Sequence, residues 1–230
     1  MRPMYQTGEY LERNPGWHVE ESPWKAAQVR RMIERAGIDP RTVCEVGCGA
    51  GEVLRQLQQR MDPACELWGY DVSPHAIELA RPRANARLHF ALAGTGRLPG
   101  DQVDLALVLD VIEHVEDYFS LLRSVRRKAR HTIVHIPLDL SVQTLLRPRG
   151  LHHVRETYGH IHCFTKETAL STLRDTGHEV LDWFYTPRAV DMPGTLRRRV
   201  LKWPRRALFA LDPDLAVRVA GGWSLMVLTR

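Results

Sequence analysis

The residues from 42 to 52 limit the fold of this chain more than any other stretch of its sequence. Apolar and β-branched residues dominate from Thr42 to Val46, which predicts a buried strand. Three glycines then follow at alternate positions: Gly47, Gly49 and Gly51. After them, apolar residues recur at helical spacing from Val53 to Met61. A strand, a glycine turn and a helix in this order begin an open α/β sheet, in which ligands bind at the carboxyl ends of the strands.

The spacing of the glycines indicates which ligand this turn binds. A dinucleotide-binding turn reads G-x-G-x-x-G, whereas here the third glycine, Gly51, comes one place early. Glu52 fills the position of the missing glycine, where its carboxylate would repel a pyrophosphate, so a dehydrogenase is a distant alternative. Glu45 suits a cationic amine, and Asp71 ends the next predicted strand, where an acid hydrogen-bonds ribose hydroxyls. A ligand with a ribose and an ammonium group but no phosphates is S-adenosylmethionine.

Three motifs occur in order along the chain: Glu45-Val-Gly-Cys-Gly-Ala-Gly51, Asp71, and Leu109-Asp-Val-Ile-Glu-His-Val115. Together they resemble motifs of the class I S-adenosylmethionine-dependent methyltransferases, most closely the small-molecule branch that includes quinone-biosynthesis O-methyltransferases. The resemblance covers residues 42–137 and implies that residues 1–230 are a single methyltransferase domain. The implied fold is α/β and Rossmann-like, with helices on both faces of a seven-stranded, mostly parallel sheet whose last strand is antiparallel. The implied cofactor is S-adenosylmethionine.

The resemblance also implies which residues contact the cofactor: Glu45, Gly47, Cys48, Gly49, Gly51, Asp71, Val72, Asp110 and Val111. Many relatives place an acid just after strand three, where it accepts a hydrogen bond from the adenine amino group. This chain has Ala93-Gly94-Thr95 at that point. Recognition of adenine is therefore left to backbone groups.

The chain divides into four parts around these motifs. Residues 1–41 are expected to form an N-terminal helical lid, whose helix begins at Ser22-Pro23 with the serine hydroxyl as its cap. Residues 42–137 form the cofactor-binding half. Residues 138–164 show no clean period, which predicts a long loop that is inserted on the acceptor side. Residues 165–230 form the C-terminal half.

Candidate substrate-binding residues lie in the lid and in the insertion: Trp17, His18, His160 and His162. Packing against the sheet is the alternative role for Trp17. His114 follows Asp110 by four residues, at the mouth where the transferable methyl group should lie. It is the candidate catalytic base, because methyl transfer to oxygen needs a proton acceptor with a pKa near neutrality. A helix cap or a cofactor contact is its alternative role, and the two insertion histidines are the next candidates for the base.

The histidines of the insertion are crowded enough to raise the question of a metal site. Zinc needs three or four convergent nitrogen or sulfur ligands at fixed spacing, and no second cluster with metal spacing exists in the sequence. Histidines suit a polar acceptor pocket equally well. We therefore expect that the chain binds no metal.

The missing signatures of other methylation chemistries favour transfer to oxygen. Amino methylation of nucleobases typically uses Asn/Asp-Pro-Pro-aromatic after strand four, where this chain has Asp110-Val-Ile-Glu113. Carbon-5 methylation of pyrimidines needs a cysteine at that position, and this chain has none there. The favoured acceptor is a small molecule, free or linked to a lipid or glycan. An RNA methyltransferase that uses the basic C-terminal helices, and a cofactor-binding protein without turnover, stay open as alternatives.

The net charge of +5 is concentrated in one segment. Residues 188–206 contain seven basic residues and one acidic residue. The region from 194 to 220 is expected to be helical, with Pro204 dividing its first part into two short helices. This segment either packs on the sheet edge with its arginines in water, or meets an anionic membrane with Trp203 at the interface. Nucleic acid is less favoured because the segment has few aromatic residues for base stacking.

Three sequence features predict where the protein works. The four cysteines are expected to be reduced thiols. The first residues lack the apolar core of a signal peptide, and no apolar run approaches the ~18 residues of a membrane span. We therefore expect a cytoplasmic enzyme, with peripheral contact to an anionic membrane as an open alternative.

Overall fold

The computed structural model describes residues 16–17, 19–93, 102–192 and 196–230, and side chains are described for all of these except residues 189, 196–199 and 201. His18, Gly94 and Thr95, which the sequence placed at the substrate and adenine sites, lie outside the described residues. The centre of the fold is one sheet of these strands: β1 Thr42–Val46, β2 Glu66–Asp71, β3 Leu88–Leu92, β4 Val103–Leu109, β5 Ala129–Pro137, β6 Val180–Thr186 and β7 Ser224–Thr229.

The strand order is β3-β2-β1-β4-β5-β7-β6. β7 is antiparallel to both of its neighbours, β5 and β6, and the other pairs are parallel. This order confirms the predicted Rossmann-like sheet, including its antiparallel last strand. β1 and β4 are adjacent in the sheet although two strands separate them in the chain, so the order reverses between them. A crevice at the carboxyl ends of strands on either side of such a reversal is where open α/β sheets bind ligands.

Helices cover both faces of the sheet: α1 Ser22–Ala36, α2 Glu52–Gln58, α3 Pro74–Ala80, α4 Tyr118–Lys128, α5 Val142–Leu145, α6 Gly150–Tyr158, α7 Lys166–Asp175, α8 Arg188–Asp191, α9 Leu196–Leu211 and α10 Pro213–Ala220. Short 3-10 turns stand at Val19–Glu21, Arg81–Arg83 and Ile112–His114. The last of these turns follows β4 and carries His114.

Side chains of β4 alternate between the two faces of the sheet. Leu105 and Leu107 are completely buried in one apolar cluster, together with residues of α1, α2 and α3. Ala106 and Val108 are completely buried in a second cluster, together with residues of α4, α7 and α10. Burial on both faces explains why this strand is nearly continuous in apolar residues. Each fully buried leucine contributes about 1.5–3 kcal/mol to folding.

Local sequence signals set most helix ends correctly. Gly37 ends α1 in the left-handed conformation (φ 62°), and the Ser73 side chain accepts a hydrogen bond from the Ala76 amide at the start of α3. The predicted cap at Ser22 is wrong. Ser22 is already the first residue of α1, and Glu21 occupies the cap position without a side-chain capping bond.

The insertion is more regular than the sequence predicted. Residues 138–164 contain α5 and α6, rather than one long loop. α5 is a single turn capped by the Ser141 side chain, which accepts a hydrogen bond from the Thr144 amide. α6 ends at Gly159 in the left-handed conformation (φ 82°). Helices this short span too few turns to leave a readable period in the sequence.

Pro204 does not divide α9, which is continuous from Leu196 to Leu211. A proline inside a helix removes one backbone hydrogen bond to the residue four places earlier, which here is Val200. The side chain of Val200 is 63% exposed, so water can reach this part of the helix. Arg205, which the sequence placed in water, is buried, and it donates from Nη2 to Gln143 Oε1 (2.7 Å) and to the Ala220 carbonyl (3.1 Å).

Candidate active site

A cavity of about 250 Å³ opens at the carboxyl edge of the sheet, beside the switch between β1 and β4. One wall is the glycine turn after β1, and the opposite wall is formed by the ends of β4 and β5. Residues of α1 and of the chain just before it form a further part of the cavity wall. Of the predicted site residues, these line the cavity: Trp17, Glu45, Gly47, Cys48, Gly49, Asp110, His114 and His160.

The glycine turn leaves no room for side chains. Gly49 has φ 53°, and a Cβ atom on it would lie 2.6 Å from the Trp17 ring. Gly51 has φ 77°, and a Cβ atom there would lie 2.4 Å from the Phe90 ring. Both the positive φ and the close neighbours therefore require glycine. Trp17 thus packs directly on the turn, which agrees with the packing role and brings it to the cavity wall as well.

Asp71 holds the glycine turn in shape. Its Oδ2 accepts a hydrogen bond from the Gly49 amide (2.9 Å) and its Oδ1 accepts one from the Ser73 amide (2.8 Å). Burial raises its pKa, and these backbone hydrogen bonds act in the opposite direction. Asp71 itself does not line the cavity. Each carboxylate oxygen can accept a second hydrogen bond, so its predicted contact with a ribose stays a prediction.

Three further predicted cofactor residues also lie outside the cavity wall: Gly51, Val72 and Val111. Gly51 packs on Phe90, as described above. Val111 packs against the turn, since a Cβ atom on Gly47 would lie 2.7 Å from the Val111 side chain. Gly51 and Val111 therefore help to shape the turn but do not line the cavity.

Glu45 is a buried carboxyl group with an unused oxygen. It is 2% exposed, and its Oε2 has no hydrogen-bond partner. Burial raises its pKa to about 8, although the positive charge of Lys25 acts in the opposite direction. A buried acceptor without a partner is costly unless a ligand supplies the donor. A ligand ammonium group fits this position, as the sequence predicted for Glu45.

Asp110 is fixed by two partners. Its Oδ2 lies 2.6 Å from Lys25 Nζ, and its Oδ1 lies 2.6 Å from His135 Nδ1. Burial alone would raise the pKa of this carboxyl group, but the charges of His135 and Lys25 hold it well below the usual range. His135 is anchored in turn through Nε2 to Thr186 Oγ1 (2.8 Å). Asp110 therefore carries a negative charge at neutral pH.

α1 and the residues just before it are tied to the C-terminal half by more than one polar contact. Glu21, at the start of α1, pairs with Arg188 of α8, and both residues line the cavity. Trp24 Nε1 donates to Asp191 Oδ2 (3.1 Å). Sequence reasoning missed Glu21, Lys25 and Arg188, because these contacts join segments that are far apart in the chain.

The acceptor-side wall holds a cluster of four ionisable side chains: Glu113, His114, Asp139 and His160. His160 Nδ1 lies 2.7 Å from Asp139 Oδ2, and the His114 and His160 rings meet edge to face at 4.8 Å between centroids. Glu113 is completely buried, and neither of its carboxylate oxygens bonds another residue. Burial raises its pKa well above the usual range, which favours the neutral form of the carboxyl group.

His114 is a weaker proton acceptor than the sequence suggested. Burial lowers its pKa to about 4, and the nearby His160 lowers it further, against a hydrogen bond to the Gly159 backbone that raises it. A base whose conjugate acid is this strong holds a proton poorly at neutral pH. His114 nevertheless lies at the predicted place, at the end of β4 and on the cavity wall.

His162 does not line the cavity. Its Nε2 donates to the Val115 carbonyl (3.0 Å), and its ring packs edge to face on Tyr118. The His160 and His162 rings therefore have different surroundings, although an extended His-x-His segment would point both the same way. His162 packs beside Tyr118, and its substrate contact stays a prediction.

Glu113, His114 and His160 also form the group that comes nearest to a metal site in the described part of the chain. Their ligand atoms lie within 4.8 Å of one another, and His114 Nε2 is 3.9 Å from Glu113 Oε1. Ligands of one tetrahedral zinc ion, each about 2.0–2.1 Å from the metal, are only roughly 3.4 Å apart. The three side chains would have to move closer together to hold a zinc ion. The expectation that the protein binds no metal stays a prediction.

Comparisons with known proteins identify the family of this chain. A family model described as "Methyltransferase domain" matches residues 21–182. The chain is 27% identical over 200 residues to a ubiquinone biosynthesis O-methyltransferase from Pseudomonas paraeruginosa, which covers 72% of this chain and 79% of that protein.

Solved structures show the same fold. An S-adenosylmethionine-dependent methyltransferase from Mesorhizobium loti aligns with a TM-score of 0.57 and 20% identity, over 85% of this chain and 95% of that one. A magnesium protoporphyrin IX methyltransferase from Synechocystis with bound SAH aligns with a TM-score of 0.57 and 16% identity, over 90% and 82%.

The chain belongs to the methyltransferase domain family, within the class I S-adenosylmethionine-dependent methyltransferases. It is an enzyme of this class, and its cofactor is S-adenosylmethionine. The residues present fit that cofactor: a turn that only glycines can line stands beside the unpaired carboxyl oxygen of Glu45.

Proposed function

We propose that this chain transfers the methyl group of S-adenosylmethionine to an oxygen atom of a small-molecule acceptor, free or carried by a lipid or glycan. The observation that supports this most is the continuity of the cavity. It joins the glycine turn at Glu45 and Gly49 to the polar cluster that includes His114 and His160. One wall suits a cofactor with an ammonium group, and the opposite wall suits a group that must lose a proton.

The residues on the cofactor side of the cavity would bind and orient S-adenosylmethionine. Bound S-adenosylmethionine supplies an electrophilic methyl group on a positively charged sulfur. Glu45 would hold its ammonium group, and the backbone of Gly47 and Gly49 would lie along its methionine portion. Lys25 and Arg188 also line the cavity. Much of the rate enhancement in such a displacement comes from orientation of the reacting groups.

The acceptor-side residues favour oxygen. An alcohol or phenol must lose its proton during transfer, and the cluster at the ends of β4 and β5 places histidine nitrogens beside the cavity. The named activity of the Pseudomonas relative is also an O-methylation, which supports the same acceptor atom here.

Calorimetry and a transfer assay test this function. We expect the protein to bind S-adenosylmethionine, and Glu45→Gln to weaken the binding by roughly tenfold or more, because a charged partner of the ammonium group is lost. Tritium from S-[methyl-³H]adenosylmethionine should appear on catechol and not on benzylamine. Transfer to the amine alone, or no binding of the cofactor, would contradict the proposal. Glu34→Gln, an exposed substitution on α1, serves as the control.

We also propose that α9 makes a peripheral contact with anionic membrane. Val200 and Trp203 are one helical turn apart and are 63% and 70% exposed, and Arg206 lies over the Trp203 ring. Among the described residues, no helix has both the length and the apolar character that a membrane span requires. An exposed tryptophan with flanking basic residues suits the interface region of a bilayer.

Vesicle co-sedimentation tests the membrane contact. Binding to vesicles that contain phosphatidylglycerol should exceed binding to pure phosphatidylcholine, and should fall as salt is raised. Trp203→Ala should weaken it. Leu92→Ala removes an exposed apolar residue from the opposite edge of the sheet and should not. Equal binding to both kinds of vesicle would contradict a contact with anionic lipid, and no binding to either would return α9 to a packing role.

A further inference from the structure

We infer that Asp139 and His160 act as a pair in which His160 Nε2 takes the proton from the acceptor hydroxyl, in place of His114. The inference rests on the proposed methyl transfer to oxygen and names the residues of that same site that carry the proton. The pair is defined by the 2.7 Å contact between His160 Nδ1 and Asp139 Oδ2. Both side chains line the cavity.

The geometry of the pair places the proton of the neutral His160 ring on Nδ1. A carboxylate accepts from Nδ1–H, so in the neutral ring Nε2 carries the lone pair. No hydrogen bond to His160 Nε2 occurs among the described residues. Nε2 is therefore the ring nitrogen that can accept a proton, because Asp139 bonds Nδ1.

Two backbone contacts hold the pair in place. The Ile161 amide donates to the Glu113 carbonyl (2.8 Å), which fastens the residue after His160 to the turn at the end of β4. Asp139 stands two residues beyond Pro137, the last residue of β5, and the Leu140 amide donates to the Phe164 carbonyl (3.2 Å). Both members of the pair are thus attached to the ends of central strands.

The groups that face His160 do not compete for its role. Glu113 is completely buried, and burial raises its pKa well above the usual range, which favours the neutral form of this carboxyl group. Burial lowers the pKa of His114 to about 4, and one of its ring nitrogens bonds the Gly159 backbone. Tyr158 packs against the His160 ring at 5.7 Å between centroids. Lys25 and Asp110, at the end of β4, form an ion pair with each other.

The step balances without any further reagent. The O–H bond of the acceptor breaks and its proton goes to His160 Nε2, which becomes an imidazolium stabilised by the Asp139 carboxylate. The oxygen uses the released electron pair to form its bond to the methyl group. The electron pair of the broken sulfur–methyl bond stays on sulfur. Solvent takes the proton from His160 after product leaves.

Two acceptors of different acidity test the inference. Catechol needs a base, whereas 4-nitrocatechol is largely ionised at mildly alkaline pH and does not. His160→Gln should lower kcat for catechol by about 10²–10⁴-fold, with much less effect for 4-nitrocatechol. Asp139→Asn should show part of the same selective loss. A merely structural role would lower both rates alike, and that result would overturn the inference.

Control variants separate this inference from its competitors. His153→Gln, on an exposed position of α6, should leave both rates unchanged. His114→Gln should cost less than His160→Gln with catechol, and the reverse order would return the role to His114. Loss of activity with EDTA, restored by zinc or magnesium, would mark the cluster as a metal site and overturn the pair. Failure of the wild-type protein to bind S-adenosylmethionine would instead contradict the proposed function.

Nuclear magnetic resonance gives a readout that needs no turnover. With S-adenosylhomocysteine bound, the ¹⁵N signals of His160 should show the Nδ1–H tautomer. Asp139→Asn should alter that tautomer balance, and His153→Gln should not. A wild-type ring that carries its proton on Nε2 would overturn the inference.

Discussion

Lys25 Nζ lies 2.6 Å from Asp110 Oδ2, and this ion pair joins the lid helix α1 to the end of β4 on the wall of the candidate active site. The Lys25 and Asp110 side chains are only 17% and 22% exposed. The pair therefore ties α1 to the end of β4 beside the cavity. His135 holds the other oxygen of Asp110, so the aspartate is clamped from both sides.

Lys25→Met should lower the free energy of unfolding by about 1–3 kcal/mol, because it leaves a largely buried carboxylate with a single partner. Arg30→Met breaks an exposed pair on the same helix and should cost less than about 0.5 kcal/mol. Urea unfolding at pH 7 measures both. Equal losses in the two variants would show that Lys25–Asp110 is no more than a surface pair.

The loss of stability in Lys25→Met is predicted to depend on pH. The charges around Asp110 hold its pKa below the value in the unfolded chain, so the stabilisation is complete above that unfolded pKa and is lost as pH falls through the folded one. The difference between wild type and Lys25→Met should therefore shrink below about pH 4. Unfolding midpoints between pH 3 and pH 7 check the direction.

Asp71→Ala should destabilise the glycine turn as well as the cofactor complex. The Gly49 and Ser73 amides would lose their acceptor inside the protein, at a cost of about 2–4 kcal/mol. Asp62→Ala removes an equivalent bond to the Ala64 amide at an exposed position, where water replaces it. It should cost less than about 1 kcal/mol. A stable Asp71→Ala protein with unchanged affinity for S-adenosylmethionine would contradict both of the roles expected for Asp71.

The centre of the sheet was predictable from the sequence because β4 is buried on both faces. β4 begins and ends where its apolar run does, at Val103 and Leu109. The glycine turn was predictable from the sequence because a side chain on any of its three glycines would collide with a neighbouring residue. The identity of the fold and cofactor follows from these two features and from the acidic residues at the strand ends.

The positions of the other residues around the cavity could only partly be predicted from the sequence. Lys25 and Arg188 act through partners in other parts of the chain, and no local pattern marks such contacts. Asp139 did carry a signal, since a polar residue just past the end of β5 must lie at the carboxyl edge of the sheet. His162 lies outside the cavity wall, because its segment is not an extended strand and its ring is held by the Val115 carbonyl.

Gly51→Ala and Gly37→Ala separate steric contact from backbone strain. Both glycines have positive φ, 77° and 62°, so alanine is strained at each by about 1–2 kcal/mol. A Cβ atom on Gly37 meets nothing within 4 Å, whereas one on Gly51 meets the Phe90 ring at 2.4 Å. Gly51→Ala should therefore cost about 1–3 kcal/mol more in urea unfolding. Phe90→Leu should recover part of that difference, and identical losses would exclude the contact as its cause.

Binding of S-adenosylmethionine should release a proton from Glu45 at pH 7. Burial raises the pKa of Glu45 to about 8, so the free protein holds this carboxyl group mostly protonated. An ammonium group beside Oε2 stabilises the ionised form and drives the proton into the buffer. The raised pKa also means that this group contributes less stability as pH rises from about 4.3 to 8, because the unfolded chain has already released its proton there. Glu45→Gln should accordingly gain stability relative to wild type as pH rises through that window.

Calorimetry in buffers of different ionisation enthalpy counts the released protons. Wild type should release close to one proton per bound S-adenosylmethionine at pH 7 and clearly fewer at pH 9, where Glu45 is already ionised. Glu45→Gln should release almost none at either pH, while Glu34→Gln on the exposed face of α1 should match wild type. A release that persists in Glu45→Gln would assign the proton to another group. It would also remove Glu45 as the partner of the ammonium group, because that contact is the only reason for the carboxyl group to ionise on binding.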